Sequence, residues 1–133
     1  MDKISISLVL YNSNKKDLNR LFDSIDKYAD KYKIDLFVLD NSIKKTRIKY
    51  KFNHVNFKYH FFGENKGFGA AHNFSIKFID EINSDFHIII NPDIYFNDDI
   101  FKYLTNYLKK HSNVSCISPR IIDKNNNNLE SIT

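Results

Sequence analysis

With 133 residues, the chain is long enough for one domain with a single core and too short for two ordinary domains. Hydrophobic residues make up 42% of it and aromatic residues 15%, a composition that excludes intrinsic disorder. The net charge of +4 comes from scattered basic residues without a long basic arm or helix. This argues against a nucleic-acid binder and fits anionic small ligands or an acidic membrane surface.

A strand and a helix are predicted at the start of the chain. Residues 4–10 alternate and then run as continuous apolar residues, which is typical of a strand buried first on one face and then on both. Asn14 can cap a helix whose apolar residues share one face as far as about Tyr32. Residues 34–39 are the second apolar run, and the basic residues 44–51 beyond it are read as a solvated loop or short helix.

Two further strands are predicted on either side of the glycines. Residues 55–61 alternate between apolar and polar side chains, the pattern of a strand with one polar face. All three glycines fall in residues 63–69, which predicts a turn that opens a helix over residues 70–82. Residues 86–90 form a short buried strand, which must end before Pro92 because proline cannot donate a ladder hydrogen bond.

The last part of the chain is predicted to contain a helix, a strand and a turn. Asn97 or Asp98 can cap a helix with an apolar stripe over residues 100–108. Residues 114–117 are read as a fifth short strand, and the asparagine-rich residues 123–128 as a polar turn. Strand and helix thus alternate, which predicts an α/β fold over residues 1–133 with a mainly parallel sheet and helices on both faces.

Cysteine content and the length of apolar runs predict the location of the protein. Cys116 is the only cysteine, so no intrachain disulfide can form, and its apolar neighbours predict a buried structural thiol. No apolar run approaches the roughly 20 residues of a membrane helix, and the apolar start lacks the features of a signal peptide. We therefore expect a cytoplasmic protein, with peripheral contact at the inner face of the membrane left open.

Polar residues follow three of the predicted strands at their carboxyl ends: Tyr11-Asn12, Asp40-Asn41-Ser42 and Asn91-Pro92-Asp93. In open α/β sheets, ligands bind at this edge, near the point where the strand order reverses. A carboxylate and an amide there suggest a metal-diphosphate site at Asp93. The alternative is that Asn91-Pro92-Asp93 is only a turn, since these residues favour turns.

The glycine turn is neither of the two common phosphate-binding motifs. A P-loop needs Ser or Thr after its Gly-Lys pair, but Lys66 is followed by Gly67 and Phe68. A dinucleotide fingerprint needs Gly or Ala where His72 stands, and normally follows the first strand. The glycines still let the backbone approach a ligand, and free amides at the helix start favour an anion.

Four segments together resemble the N-terminal half of family-two inverting glycosyltransferases, with the bacterial rhamnosyltransferase-like branch as the closest resemblance. The segments are Ile6-Ser7-Leu8-Val9-Leu10-Tyr11-Asn12-Ser13, Val38-Leu39-Asp40-Asn41-Ser42, Asn65-Lys66-Gly67-Phe68-Gly69-Ala70-Ala71-His72-Asn73 and Asn91-Pro92-Asp93-Ile94. The resemblance implies a Rossmann-like GT-A domain that binds a nucleotide-diphosphate sugar, with dTDP-rhamnose as the suggested donor. It also implies a saccharide or lipid-linked acceptor in cell-surface polysaccharide synthesis.

The resemblance further assigns residues to the donor site. Tyr11, Asn12, Asp40 and Asn41 would line the nucleotide pocket, with Asp40 accepting a hydrogen bond from the pyrimidine. Asn65, Gly67 and Asn73 would border the nucleotide-sugar. Asp93, with Asn91 nearby, would hold a divalent cation, Mn²⁺ or Mg²⁺, on the diphosphate, as the counterpart of the family's Asp-x-Asp motif. Asn91 in place of the first Asp would weaken that cation site.

The resemblance does not extend to the family's acceptor-binding half, which supplies an Asp or Glu general base. No catalytic residue is therefore assigned, and we expect little or no sugar transfer by this chain alone. The nearest acid and base side chains are Glu64, His72, Asp98 and Asp99; His72 is expected on a helix surface and Asp98 or Asp99 at a helix cap. A different function stays open: a non-catalytic nucleotide-binding or interaction module that needs a partner chain or a further C-terminal region.

Overall fold

In the computed structural model of the protein, the described residues are 1–123, and they fall into two compact units. The described strands and helices of the first unit, residues 1–97, are β1 (Lys3–Leu10), α1 (Lys15–Ala29), β2 (Lys33–Asp40), β3 (Val55–Phe61), α2 (Phe68–Phe74), α3 (Ile76–Ile82) and β4 (Phe86–Ile90). The second unit begins at Asp98, and its described part contains the helix α4 (Ile100–Lys110).

The four strands form one parallel sheet in the order β3-β2-β1-β4. Leu10 lies beside Asp40, which in turn lies beside Phe61. On the other side of β1, Leu8 lies beside Ile90, the last residue of β4. The carboxyl ends of all four strands therefore lie along one edge, and the predicted parallel sheet is confirmed.

Helices cover both faces of this sheet, as predicted. On one face, α1 buries Leu18, Leu21, Phe22, Ile25 and Ala29, and the ring centroid of Phe22 lies 6.2 Å from that of Phe57 in β3. On the other face, the ring of Phe78 in α3 stacks on Phe37 of β2 with centroids 6.0 Å apart. The core thus lies on either side of β1 and β2, which are the central strands and the most deeply buried.

The predicted cap of α1 is confirmed, and its predicted end is three residues too late. The side chain of Asn14 accepts hydrogen bonds from the backbone nitrogens of Lys16 and Asp17 at 2.8 and 3.2 Å. The helix ends at Ala29, whose carbonyl accepts a bond from the Tyr32 nitrogen at 3.1 Å. This tight turn is needed because the chain must reverse at once to enter β2.

The prediction of one helix over residues 70–82 is wrong. The chain forms two seven-residue helices, α2 and α3, that meet at Ser75. The Ser75 hydroxyl donates to the His72 carbonyl at 2.7 Å, and the Ser75 nitrogen donates to the same carbonyl at 3.1 Å. Serine competes for helix carbonyls in this way, so local bonding at Ser75 ends α2 despite the continuous apolar period.

Three predictions for the second unit need correction. Residues 114–117 form no strand in the described structure, since the Val114 nitrogen is bonded to the His111 carbonyl in a turn at 2.9 Å. Cys116 is exposed, so it is not the buried thiol that its apolar neighbours predicted. The cap of α4 is Asp99, because its carboxylate accepts from the Lys102 nitrogen at 3.2 Å; this corrects the prediction of Asn97 or Asp98 and confirms Asp99 from the predicted pair Asp98 or Asp99. Most of the predicted turn at 123–128 lies outside the described residues.

Within residues 1–123, none of the helices combines the length and the apolar character that a membrane span requires.

Candidate functional site

A cleft opens where the strand order reverses. The chain adds β2 and β3 on one side of β1 and then places β4 on the other side, so the reversal falls between β1 and β4. Just beyond the carboxyl ends of these strands lies a cavity of about 330 Å³. Its lining comes from the start of α1 and from the turn after β4, namely Ser13, Asn14, Asp17, Asn91, Pro92 and Asp93. This is the position at which open α/β sheets bind their ligands.

The turn after β4 supplies the exposed polar groups of this cleft. Pro92 follows β4 directly after Asn91, and the Ile94 nitrogen closes the turn on the Asn91 carbonyl at 3.4 Å. The side chains of Asn91 and Asp93 are both exposed. Asp17, the other carboxylate of the cleft, is paired with Arg20 at 3.1 Å. The cleft therefore has two carboxylates, of which Asp17 is in an ion pair, and two amides, of which Asn14 caps α1; Asp93 and Asn91 are the pair outside these contacts.

The Asp93 carboxylate and the Asn91 amide can serve as metal ligands, but they fit a divalent cation only if a substrate completes its coordination. Among residues 1–123, no three His, Cys, Asp or Glu side chains are grouped closely enough to hold a metal ion. Mg²⁺ commonly binds through one or two carboxylates together with substrate phosphates and water. Asp93, with Asn91 nearby, could hold such a cation only together with ligands from a substrate and water.

Asp40 lies at the same edge, but its carboxylate is buried and serves the protein itself. One oxygen accepts a hydrogen bond from the Ser42 nitrogen at 3.0 Å, and the other accepts from the Thr46 nitrogen at 2.9 Å and from the Tyr59 hydroxyl. Burial raises the pKa of Asp40, but these hydrogen bonds outweigh it and hold the pKa below its usual value. Because the carboxylate is buried, a base could bond it only if one of its present donors, Ser42, Thr46 or Tyr59, moved away.

Asn41 connects the end of β2 to the glycine turn. Its side-chain oxygen accepts from the Lys66 nitrogen at 3.1 Å, and its side-chain nitrogen donates to the Gly67 carbonyl at 3.2 Å. Asn65 adds a bond inside the turn, from the Gly67 nitrogen to its side-chain oxygen at 2.9 Å. Asn41 is 2% exposed, so its amide positions the turn from within.

The remaining residues predicted for the sugar-donor site are exposed. Tyr11 is 53% exposed directly after β1. Asn12 beside it has a φ of 49°, and its nitrogen donates to the Ser42 hydroxyl at 2.9 Å. Asn73 is exposed on α2. The structure thus gathers the predicted strand-end and turn residues along one edge, whereas Asn73 follows His72, which contacts Ser7 in the middle of β1; the roles of all of them toward a ligand stay predictions.

The prediction that His72 lies on the helix surface is wrong. Its side chain is 6% exposed, and its Nδ1 lies 2.7 Å from the hydroxyl of Ser7 in β1. The available signal was in the first strand, where Ser5 and Ser7 put two polar groups on a buried face. Such groups need hydrogen-bonding partners from whatever packs against that face.

Comparison with known proteins decides the family. The family model described as glycosyl transferase family 2 matches residues 5–132. The chain belongs to glycosyltransferase family 2. Its hexosyltransferase relative Agl10 of Haloferax volcanii, which acts in low-salt glycan biosynthesis, is 30% identical over 126 residues. That alignment covers 93% of this chain and 38% of the relative.

A solved structure shows the same fold for this family 2 domain. The crystal structure of S. aureus TarS superposes with a TM-score of 0.59 at 18% identity, over 92% of this chain and 24% of the TarS chain. The predicted GT-A-like fold is therefore confirmed. The chain spans well under half the length of either protein, and the shared part is a parallel sheet with flanking helices.

The glycine turn of this glycosyltransferase domain gives a prediction with an internal control. Gly67 has φ 84° and ψ 161°, a conformation that is almost confined to glycine. Added Cβ atoms at Gly67 and Gly69 would meet nothing within 4 Å, so the two sites differ in backbone conformation alone. We expect Gly67→Ala to lower the free energy of unfolding by about 1–3 kcal/mol. Gly69→Ala, inside α2, is expected to raise it by about 0.5–1 kcal/mol.

Urea titration of both variants measures this difference. Equal effects of the two substitutions would contradict the assigned backbone of Gly67.

Proposed function

We propose that residues 1–97 form the donor-binding part of an inverting glycosyltransferase that takes a nucleotide-diphosphate sugar. The observation that carries the proposal is the edge where the Asp40 loop, the glycine turn and the Asn91-Pro92-Asp93 turn all follow strand ends. The cleft at the strand-order reversal adds room for a ligand at that edge. Membership of family 2 supports transfer of a sugar as the reaction class.

The geometry suggests a division of work along the edge. Tyr11 and Asn12 are exposed at the end of β1 and would contact the nucleotide. Asp40, being buried, would act on the base through the loop that it holds. Asn65, Gly67 and Asn73 would border the sugar-nucleotide, with the Gly67 backbone kept in place by Asn41.

Asp93 would act at the diphosphate end, in the cleft that it shares with Asn91. When bound, a divalent cation would neutralise charge that develops on the departing nucleoside diphosphate. The role of the protein is to orient the diphosphate there while an acceptor hydroxyl attacks the anomeric carbon. The motif resemblance favours dTDP-rhamnose as donor and a saccharide or lipid-linked acceptor, with work at the inner face of a membrane.

A second function is favoured by the extent of the match. The alignment covers 38% of the hexosyltransferase relative, so most of that relative's length lies outside the part that this chain matches. A module that binds the nucleotide but works only with a partner chain or a further region would have the same residues along this edge as the enzyme. Transfer of sugar to an added acceptor by the purified chain would favour the enzyme, and donor binding without transfer would favour the module.

Replacing Asp93 tests the proposed diphosphate end. We expect Asp93→Ala to abolish the Mn²⁺- or Mg²⁺-dependent part of dTDP or UDP affinity, about tenfold if one charge-assisted contact is lost, and to leave the metal-independent part. Calorimetric titration with metal and with chelator measures both parts.

Asp17→Ala is the control, because Asp17 lines the same cleft but is paired with Arg20. Metal dependence that persists in Asp93→Ala would mean that Asn91-Pro92-Asp93 is only a turn. If it is lost in Asp17→Ala instead, the cation belongs to the other side of the cleft.

A further inference from the structure

A chain of hydrogen bonds links β4, β1 and α2 through two histidines and two serines. Ser5 Oγ lies 2.8 Å from His87 Nδ1, and His87 Nε2 lies 3.0 Å from Ser7 Oγ. Ser7 Oγ in turn lies 2.7 Å from His72 Nδ1. We call these four residues the histidine relay. It ends at His72 Nε2, a buried nitrogen without a hydrogen-bond partner in the described structure.

The groups at the two ends of the relay determine which atom donates in each of its hydrogen bonds. Ser5 Oγ can donate to the Phe86 carbonyl at 3.3 Å. If it does, His72 donates to Ser7, Ser7 donates to His87, and His87 donates to Ser5. His72 then carries its hydrogen on Nδ1. The unpartnered Nε2 is then a bare acceptor. The opposite direction would leave a buried N–H without an acceptor, which proteins avoid more strictly.

An added proton destabilises this arrangement wherever it is placed. On His72, it would create a buried cation whose new N–H has no acceptor. On His87, the Nε2 would become a donor, so the Ser7 hydroxyl would have to donate to His72 Nδ1 instead, and the hydrogen of His72 would move to Nε2, where it has no acceptor. Burial, with a smaller contribution from the charge of His87, lowers the pKa of His72. Loss of water around its ring nitrogens lowers the pKa of His87 as well, although the residue as a whole is exposed.

The surroundings offer little to stabilise such a proton. On β1 and β4 the nearest charged residues are Lys3 and Asp85, and Asp85 already accepts from the Lys3 backbone nitrogen at 2.9 Å. On β2, Asp35 lies beside Ser5, but its carboxylate accepts from the Asn56 side chain at 2.6 Å and lies 3.9 Å from Lys58 Nζ. In α2, Phe68 contacts the His72 ring, with centroids 4.3 Å apart, and His72 is itself the only titratable side chain. Lys77 of α3 lies over the rings of Phe74 and Phe78.

The relay is connected to the donor site through α2. This helix has seven residues and no side-chain cap, so contacts with the rest of the protein must hold it in place. Its first turn follows directly from Gly67, whose carbonyl accepts from the Ala71 nitrogen at 3.2 Å. The glycine turn is thus held by Asn41 at β2 and, one helical turn later, by His72 at β1.

We propose that His72 is a positioning residue of the donor site, and that its bond to Ser7 fixes α2 and the glycine turn only while the histidine relay is free of an extra proton. The proposal rests on the donor-binding function proposed above. Because burial favours the neutral rings, the relay is intact at neutral pH. The positioning of α2 and the glycine turn is lost as the pH falls below about 6.5, the ordinary pKa of histidine, and through the lowered pKa values of His72 and His87.

Two substitutions at His72 separate positioning from simple packing. His72→Asn places an amide near the position of Nδ1, so it can keep the bond to Ser7 but cannot titrate. His72→Gln carries its amide farther out and loses that bond, as Ser7→Ala also does. His54→Gln, at an exposed histidine, is the control for changing any histidine.

The test is calorimetric titration of the full chain with dTDP and Mn²⁺ at several values from about pH 8 to about pH 5. At neutral pH, we expect His72→Gln and Ser7→Ala to lose about fivefold in affinity, and His72→Asn and His54→Gln to stay within about twofold of the wild type. As the pH falls, the wild type should lose more affinity than His72→Asn does. Titration of the nucleotide affects both proteins equally, so the difference between them reports the protein. Equal pH profiles of these two proteins would overturn the proposal.

Hydrogen exchange of the backbone amides at residues 68–71 gives a readout that needs no nucleotide. Exchange should be faster in His72→Gln and Ser7→Ala than in His72→Asn, and in the wild type it should rise in acid relative to His72→Asn. Failure of the wild type to bind nucleotide would refute the donor function and leave this comparison valid. Unchanged exchange in His72→Gln and Ser7→Ala would refute the positioning role.

Discussion

Asp40→Ala is expected to lower the free energy of unfolding by about 3 kcal/mol, which corresponds to a melting temperature lower by roughly 10 °C. The buried carboxylate accepts hydrogen bonds from the Ser42 and Thr46 nitrogens and the Tyr59 hydroxyl. Its removal leaves these donors without their partner, a large penalty for groups that are shielded from water. Urea and thermal unfolding measure the change.

Asp93→Ala is the matched control, because Asp93 is an exposed carboxylate at the same edge of the sheet. We expect it to change the free energy of unfolding by no more than about 0.5 kcal/mol. If Asp40→Ala were as stable as Asp93→Ala, the hydrogen-bonding role of Asp40 would be wrong.

The lowered pKa of Asp40 adds a pH dependence to this prediction. A carboxyl group whose pKa is lower in the folded protein stabilises the fold above its ordinary value of 3.8. That contribution disappears as the pH falls from there through the folded pKa. The wild type should therefore lose more stability in this acid range than Asp40→Ala does, and unfolding curves at stepped pH compare the two.

Phe22→Ala is expected to lower the free energy of unfolding by about 4 kcal/mol. Phe22 is fully buried, and its ring centroid lies 5.3 Å from that of Tyr50, 5.0 Å from Phe52 and 6.2 Å from Phe57. The substitution removes the centre of an aromatic cluster that joins α1 to β3 and to the loop after β2. Both denaturant unfolding and faster proteolysis of residues 43–54 should report the loss.

Ile43→Ala provides the comparison for Phe22→Ala, because Ile43 begins the same loop but is 71% exposed. We expect it to change the free energy of unfolding by no more than about 0.5 kcal/mol. A loss below about 1 kcal/mol in Phe22→Ala would show that the aromatic cluster does not hold the loop.

Apolar periodicity predicted the four strands of the sheet and the existence of α1, because long buried elements leave a regular pattern. It failed where local bonding or the absence of a neighbour decided the outcome. A serine bond to a carbonyl divides the predicted helix at Ser75. Residues 114–117 are apolar enough for a strand, but a strand also needs an adjacent strand, and sequence pattern alone cannot supply one.

The sequence was sufficient to predict where the site lies, but not which contacts its side chains make. Polar residues after strand ends were gathered at one edge, as the parallel sheet requires. Whether a polar side chain faces outward depends on partners far away in the sequence, such as Tyr59 for Asp40 or Ser7 for His72. For this reason, the buried state of Asp40, Asn41 and His72 became visible only in the structure.

The strand order also sets the time between the synthesis of β1 and the synthesis of β4, its neighbour in the sheet. β1 is synthesised first and lies at the centre, yet Ser5 contacts Phe86, which is 81 positions later. At a synthesis rate of about 5–20 residues per second, β4 follows β1 by roughly 4–16 seconds. Throughout that interval, one side of β1 is an open edge to which strands of other nascent chains can add. Ser5 and Ser7 make one face of that strand less apolar, and we expect this to lower its tendency to aggregate before β4 is synthesised.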